Sequence, residues 1–153
     1  MALVAQSTAA LPSPEIMAAL ISGVTRTMMG ISFQLVAAQP RIAFRAAVLP
    51  IPGSRPLSLV IASDALSCRA LGAAMFCCHA STVDDSMVED TLRELANITA
   101  GHLKRAMALD QALGLPKIVT GSERPAVIAS ANALLRAGDV ELHVRLDQHL
   151  HNL

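Results

Sequence analysis

Glu94 and Asn97 are the pair of residues in this sequence whose types and spacing best suit work on another molecule. They stand three residues apart in a segment with helical periodicity, so their side chains are neighbours on one helix face. Glu94 has no Lys or Arg three or four residues away on either side, and its charge is therefore free to meet a cation on another molecule. Arg93, in contrast, has an acid at each of the preceding spacings, Glu89 and Asp90. Because exposed polar pairs are common and usually only solvated, spacing alone makes this pair a candidate and no more.

The pair is carried by the longest predicted helix, residues 84–109, which follows a helix-start pattern with acids in the first turn. The apolar stripe of this helix is the predicted core face, and it consists of Val88, Leu92, Leu95, Thr99, Leu103 and Ala106. The opposite face carries the candidate site residues Glu94, Asn97, Gly101 and Lys104. Asn97, Thr99 and Gly101 are poor helix formers in mid-helix, and sequences tend to break local rules where function demands it. Gly101 also lacks a side chain one turn after Asn97, which lets another backbone come close.

The remaining segments predict the scaffold that positions this helix. A first helix begins at Ser13-Pro14-Glu15 and stops at Gly30, and another runs from the Ser63-Asp64 cap to about Phe76. Strands are predicted at residues 31–39, 41–51, 55–63 and 115–119, with a closing hairpin at 131–137 and 140–148 and a tight turn centred on Pro52-Gly53. This order predicts an α+β domain at residues 13–148 in which a mostly antiparallel sheet of about six strands packs with long helices, behind a flexible tail at 1–12.

Composition excludes several classes of protein. The 153 residues are 53% hydrophobic, which suits a folded domain, and only 2% aromatic, with no Trp or Tyr. The formal net charge is zero, so both the basic patch and the stacking aromatics of a nucleic-acid binder are missing. Residues 16–39 hold no unbroken apolar run of membrane-spanning length, and the start of the chain lacks the positive charge of a secretory signal. We therefore expect a cytoplasmic protein whose three cysteines are reduced, buried thiols.

Two groups of potential metal ligands are weak candidates. Cys77-Cys78-His79 are adjacent, so their side chains point to different sides of a helix, and no second Cys or His pair lies at ligand spacing. The histidines at 143, 149 and 151 fit a strand and a frayed end. No Gly-rich phosphate loop and no Ser-His-Asp or Cys-His set stands out, so we expect no cofactor of the protein's own.

The segment 94–104, ELANITAGHLK, resembles the signature helix of the CheX/CheC/FliY family of chemotaxis phosphatases. The shared pattern is Glu-x-x-Asn, followed in CheX-like members by a Gly and then a Lys. The segment 115–121, LPKIVTG, resembles the strand that follows this helix in CheX proteins, and the similarity extends over about residues 14–147. CheC-like members carry a second Glu-x-x-Asn, whereas the first helix here offers only Glu15-Ile16-Met17-Ala18, so the single motif indicates the CheX branch. His102 departs from the pattern, since CheX proteins usually have Asn after the Gly.

The resemblance implies dephosphorylation of the phospho-aspartate of a CheY-like receiver. Asn97 would then position the attacking water, Glu94 would pair with the receiver's lysine, and Gly101 and Lys104 would contact the receiver. The Mg²⁺ would belong to the receiver, and the protein would be a homodimer. Two other hypotheses stay open: a receiver-binding module without catalysis, and a structural protein like those of the flagellar switch.

Overall fold

The computed structural model describes residues 10–120 and 127–149, so residues 1–9 of the expected tail, Gly121 and His151 lie outside the described part. The helices are α1 (Pro14–Met29), α2 (Ala65–Phe76) and α3 (Asp85–Ala106), with a 3-10 turn at Ala80–Thr82. The strands are β1 (Gln34–Leu35), β2 (Arg45–Ile51), β3 (Leu57–Ser63), β4 (Lys117–Val119), β5 (Val127–Ala137) and β6 (Val140–His149).

The described strands form one six-stranded sheet in the order β1-β5-β6-β3-β2-β4, and every neighbouring pair is antiparallel. One face of this sheet is covered by the three helices, and between them lies an aliphatic core to which β2, β3, β5 and β6 all contribute. The other face carries a smaller apolar cluster around Ala46, Val60 and Ala62. The predicted α+β class and antiparallel sheet are confirmed.

Local signals at the helix ends were predicted correctly because they depend on neighbouring residues. The Ser13 hydroxyl caps α1 by accepting a hydrogen bond from the backbone N–H of Ile16 at 3.2 Å. Gly30 ends α1 in the left-handed conformation with φ 70°, and its N–H bonds the carbonyl of Arg26. Asp84 caps α3 by accepting from the N–H of Met87 at 2.8 Å. The helix ends at Ala106, three residues before the predicted limit.

The predicted strand at residues 31–39 is wrong over most of its length, since only Gln34–Leu35 pairs with β5. The cause is Ser22 on α1, whose hydroxyl bonds both the carbonyl and the N–H of Phe33, at 3.1 and 3.2 Å. Phe33 is thereby held against the helix with its side chain in the core, and its backbone is withdrawn from the sheet. A short β1 leaves most of the outer edge of β5 without a described partner.

The predicted tight turn at Pro52-Gly53 is also wrong, because β2 and β3 are joined by a wider loop at residues 52–56. The Gln111 side chain fills this loop and donates to the carbonyls of Ile51, Pro52 and Arg55 at 3.2, 3.3 and 2.8 Å. Gly53 adopts φ 149°, and a Cβ there would lie 2.6 Å from the Gln111 side chain. The loop therefore depends on a residue far away in the sequence.

The expectation of three buried thiols holds for one cysteine and not for all. Cys68 is buried in α2, Cys78 is partly buried, and Cys77 is exposed at the left-handed C-terminal cap of α2. Burial raises the pKa of the Cys68 thiol to about 11, so this thiol stays protonated at neutral pH. Among the described residues, no helix is both long and apolar enough to cross a membrane.

Candidate functional site

The side of α3 that faces solvent carries the candidate pair. Glu94 and Asn97 are exposed, while Gly101 and Lys104 are partly buried on the same side of the helix. The opposite side is anchored by buried residues that touch α1, α2 and the sheet: Val88, Thr91, Leu92, Leu95, Ala96, Thr99, Ala100 and Leu103. The predicted core stripe is confirmed except at its last member, Ala106, which is exposed because the helix ends there. The pair thus stands on a helix fixed by the core rather than on a loop.

The ion pairs around Arg93 agree with the prediction from the sequence. Its guanidinium lies 3.5 Å from a carboxylate oxygen of Glu89 and 3.1 Å from one of Asp90. Glu89 also faces Arg45 on β2 at 3.7 Å, which ties this group to the sheet. Arg93 is therefore engaged on its own side of the helix. Glu94 has no ion pair or hydrogen bond with any residue in the described ranges.

Asn97 and Gly101 leave the centre of this surface open. The carboxamide of Asn97 makes no hydrogen bond within residues 10–120 and 127–149, so its donor and its acceptor are both available. A Cβ added at Gly101 would meet nothing within 4 Å, so packing inside the protein does not require glycine there. The arrangement can therefore offer a carboxylate and a carboxamide, one turn apart, to a second molecule that approaches the helix backbone closely.

The C-terminal end of this surface holds a residue that the sequence reasoning missed. Arg105 is exposed and lies eleven residues after Glu94, close to three full turns, which places both on the same side of α3. Its guanidinium Nη2 is 2.9 Å from Nδ1 of His102, and because a guanidinium only donates, the imidazole nitrogen accepts. The spacing of Arg105 from Glu94 and Gly101 is a usable signal, but cations are so common in the last turn of a helix that this signal has little specificity.

The histidine and cysteine candidates are not brought together. Within the described part of the chain, no group of three or more His, Cys, Asp or Glu side chains could hold a metal ion. Nε2 of His143 lies 3.3 Å from Oδ1 of Asn132, and Nε2 of His149 lies 2.7 Å from the hydroxyl of Ser58. Burial and the nearby Arg145 lower the pKa of His143, so its imidazole is neutral at pH 7. Both histidines are accounted for by contacts within the sheet.

A second polar cluster, at the end of the sheet near α2, has a structural role. The carboxylate of Glu141 is buried and accepts from the guanidinium of Arg136 at 3.0 Å and from the backbone N–H of Arg41 at 2.7 Å. Arg41 also reaches Asp64, the N-terminal cap of α2. Burial alone would raise the pKa of Asp64, but hydrogen bonds from Ser67 and Arg41 outweigh it and hold the pKa below its ordinary value. Each charge in this cluster has a partner inside the fold.

This chain resembles known proteins in both sequence and structure. Residues 45–135 match the family described as chemotaxis phosphatase CheX. No curated protein matches this chain. The chemotaxis protein CheX from Vibrio vulnificus superposes with a TM-score of 0.71 at 15% identity, over 87% of this chain and 93% of that one.

Two further structures share the fold. The CheX–CheY–BeF₃–Mg²⁺ complex from Borrelia burgdorferi gives a TM-score of 0.70 at 15% identity, covering 92% of this chain and 100% of its counterpart. The FliM–SpeE complex from H. pylori gives 0.63 at 8% identity, covering 88% and 82%. These likenesses establish the fold, and the matched span, residues 45–135, is more than half of the 153 residues. This chain belongs to the CheX family of chemotaxis phosphatases.

Proposed function

We propose that this protein removes the phosphoryl group from the phospho-aspartate of a CheY-like receiver, using the exposed side of α3. The observation that carries the proposal is the pair of unpartnered side chains, Glu94 and Asn97, one turn apart on a helix anchored by the core. Membership of the CheX family supports the type of reaction. The solved complex of a CheX protein with CheY supports the class of partner.

The chemistry requires little from the phosphatase beyond positioning. Water attacks the phosphorus in line, the bond between phosphorus and the aspartyl oxygen breaks, and the products are inorganic phosphate and a free carboxylate. The Asn97 carboxamide can accept a hydrogen bond from that water through Oδ1 and donate to the phosphoryl group through Nδ2. A carboxylate at this position would repel the phosphoryl oxygens. Because Asn97 holds the water in the attacking position before the reaction, the entropic cost of bringing water and phosphorus together is no longer part of the barrier.

Glu94 would fix the register of the complex. Its unpaired carboxylate can meet the lysine of the receiver's active site, while the bare backbone at Gly101 allows close approach and Lys104 contacts the receiver at the periphery. The Mg²⁺ of the reaction would be held by the receiver. These assignments rest on two observations. The side-chain polar groups of Glu94, Asn97 and Lys104 have no partner among the described residues, and the space beside Gly101 is open. Segment 94–104 also resembles the family's signature helix.

The direct test compares Asn97→Ala with wild type in the decay of a phosphorylated receiver. We expect the rate to fall by about 10²-fold, as loss of one positioned catalytic group often causes. Asn132→Ala is a matched control, because Asn132 is also exposed but lies on the sheet face opposite the helices, since its neighbours Ala131 and Ala133 on β5 point into the helix-covered core. Full activity in Asn97→Ala would refute the water-positioning role.

Glu94→Ala separates binding from chemistry. A charge pair desolvated at the centre of an interface costs about 2–5 kcal/mol when one partner is truncated, so binding should weaken together with turnover. Asn97→Ala should slow the chemical step while affinity is kept. Calorimetric titration against a receiver loaded with beryllium fluoride and Mg²⁺ measures affinity alone, with Glu15→Ala as the control for loss of an exposed carboxylate. If Glu94→Ala binds as tightly as wild type while Asn97→Ala does not bind, the two roles are assigned the wrong way round.

The same titration distinguishes the alternative function. The structural likeness to FliM is the observation that favours a module that binds without catalysing, or a switch-like structural protein. Such a protein would bind the receiver tightly and leave its phosphoryl group intact. Retention of both Glu94 and Asn97 favours the phosphatase.

We also propose that the protein is a homodimer that pairs through the outer edge of β5. Beyond the two residues opposite β1, no described strand covers this edge, and Val127 and Ile128 are 39% and 53% exposed there. An unpaired edge with exposed apolar side chains is a template for strand addition. Light scattering at micromolar concentration should give the mass of two chains, and Ile128→Lys should give one. A monomeric wild type would refute the dimer.

A further inference from the structure

The exposed side of α3 has its charges sorted by sign. Asp90 and Glu94 lie in the N-terminal half, and Lys104 and Arg105 lie at the C-terminal end, with Asn97 and Gly101 between them. Arg93 is neutralised by two acids on the same helix, but Lys104 and Arg105 form no ion pair with a described residue. The surface therefore presents a free anion at one end and free cations at the other.

The side chain of Arg105 is held by a hydrogen bond within the helix, whereas that of Lys104 is not. The hydrogen bond from its guanidinium to Nδ1 of His102, at 2.9 Å, directs the side chain back along the helix towards the turn that contains Gly101. Nδ1 of His102 is the acceptor of this bond, and no acid competes for Arg105 from the preceding turn, because the positions three and four residues before Arg105 are His102 and Gly101. The favourable interaction of a cation with the helix C-terminus explains a charge in the last turn, but not a bond that fixes its direction.

The distance along the helix excludes a role at the phosphoryl group. Eight residues separate Asn97 and Arg105, which corresponds to about 12 Å of helix, more than an arginine side chain can span. The target of Arg105 is therefore a different anion on the partner. From Glu94 to Arg105 the helix advances by about 16 Å, so a complementary partner carries a cation and an acid at that separation.

We propose that Arg105, positioned by His102, selects among receivers by pairing with an acidic side chain on the receiver surface outside its phosphorylation site. This inference rests on the proposed function of α3 and adds a determinant of partner choice to it. A receiver with an acid at that place gains a peripheral ion pair, whereas one with a lysine there is repelled. Peripheral charges act mainly on association and on discrimination between partners, and both effects weaken with salt.

The test uses Arg105→Glu and a control with the same change in charge, Lys117→Glu. Lys117 is exposed on β4, on the sheet face away from the helices, and is outside the proposed site. Rates and affinities are measured against a panel of receivers, phosphorylated for turnover and loaded with beryllium fluoride and Mg²⁺ for binding. For the preferred receiver we expect Arg105→Glu to raise KM and Kd by about tenfold at low salt with kcat unchanged. The preference between receivers should shrink.

The contribution of His102 is tested by a conservative pair. His102→Leu removes the acceptor and should raise KM by about threefold, as for a weakened peripheral ion pair. His102→Gln keeps an acceptor, so its KM should stay close to that of wild type. In an Arg105→Ala background, His102→Leu should add nothing, because the residue it positions is gone. A merely structural role for His102 would instead lower the melting temperature equally in both backgrounds and leave KM unchanged.

The outcomes separate this inference from the function on which it rests. If wild type dephosphorylates a receiver and Arg105→Glu behaves like Lys117→Glu, or loses activity equally against every receiver, partner selection is refuted while the phosphatase stands. If wild type binds a receiver without turnover, the proposed phosphatase function is refuted. The ratio of the Kd of Arg105→Glu to that of wild type, compared between receivers, then still decides the role of Arg105. If wild type binds none of the receivers, both are refuted. If an acid-to-lysine change on the receiver restores its affinity for Arg105→Glu, the changed position is the residue that pairs with Arg105.

Discussion

Thr99→Val should make this protein more stable. The side chain of Thr99 is 1% exposed in the core face of α3, and its hydroxyl oxygen is buried without a hydrogen-bond partner among the described residues. It lines a narrow gap between α1 and α3 together with Met17, Leu20, Leu103 and Val144. Valine replaces the hydroxyl by a methyl of similar size and has nearly the same helix propensity, so the change isolates the buried hydroxyl.

The magnitude follows from the cost of an unsatisfied buried group, about 1–3 kcal/mol, to which burial of the new methyl adds. We expect the free energy of unfolding to rise by about 1.5 kcal/mol and the melting temperature by about 3–6 °C. Since the chain has no Trp or Tyr, far-ultraviolet circular dichroism during thermal and urea unfolding is the suitable assay.

Thr91→Val is the matched control for this prediction. Thr91 is on the same helix and equally buried, but its hydroxyl donates to the carbonyl of Met87 at 2.8 Å. Thr91→Val loses this existing hydrogen bond, so its free energy of unfolding should be unchanged or lower than that of wild type by about 1 kcal/mol. If Thr99→Val is no more stable than Thr91→Val, the Thr99 hydroxyl has a partner and the reasoning is wrong. Receiver dephosphorylation should be the same in both variants, because both side chains face away from the proposed site.

Three further predictions concern the rest of the fold. Glu141→Ala should lower the free energy of unfolding by about 3 kcal/mol in urea titration, because it leaves Arg136 without its buried partner, and an unchanged value would refute that coupling. Burial lowers the pKa of His143 below its ordinary value of 6.5, so the unfolded chain takes up the proton first and stability should fall as pH drops below about 6.5. His143→Gln should remove that part of the pH dependence, and equal pH profiles would contradict the assignment. Iodoacetamide should label Cys77 in the folded protein and Cys68 only after unfolding, as mass spectrometry of peptides can show, and early labelling of Cys68 would contradict its burial.

Sequence reasoning succeeded where the determining contacts are local. Ser13 and Gly30 delimit α1 through bonds within a few residues, and the stripe of α3 follows from its helical period, which also placed Glu94 and Asn97 on the open side. The candidate site was therefore found from the spacing of residues on one helix.

The failures came from contacts between residues distant in sequence. The strand expected at residues 31–39 is shortened by Ser22, and the loop after β2 is shaped by Gln111, which approaches from beyond α3. The anchoring of Arg41 to Glu141 joins positions 100 residues apart. The contact between His102 and Arg105 likewise does not follow from sequence, because a ring nitrogen and a guanidinium three residues apart meet only in particular rotamers.

The connections at the two ends of α3 have a consequence for how fast a complex can form. Arg45 on β2 reaches Asp85 in the first turn, and after the helix Gln111 fills the loop at 52–56 while the N–H of Gly114 bonds the carbonyl of Pro50. The helix is thus attached to the β2–β3 hairpin both before and after its exposed face. A surface braced in this way needs no folding step when a partner arrives. Encounter and orientation, rather than rearrangement of this protein, should then set the association rate.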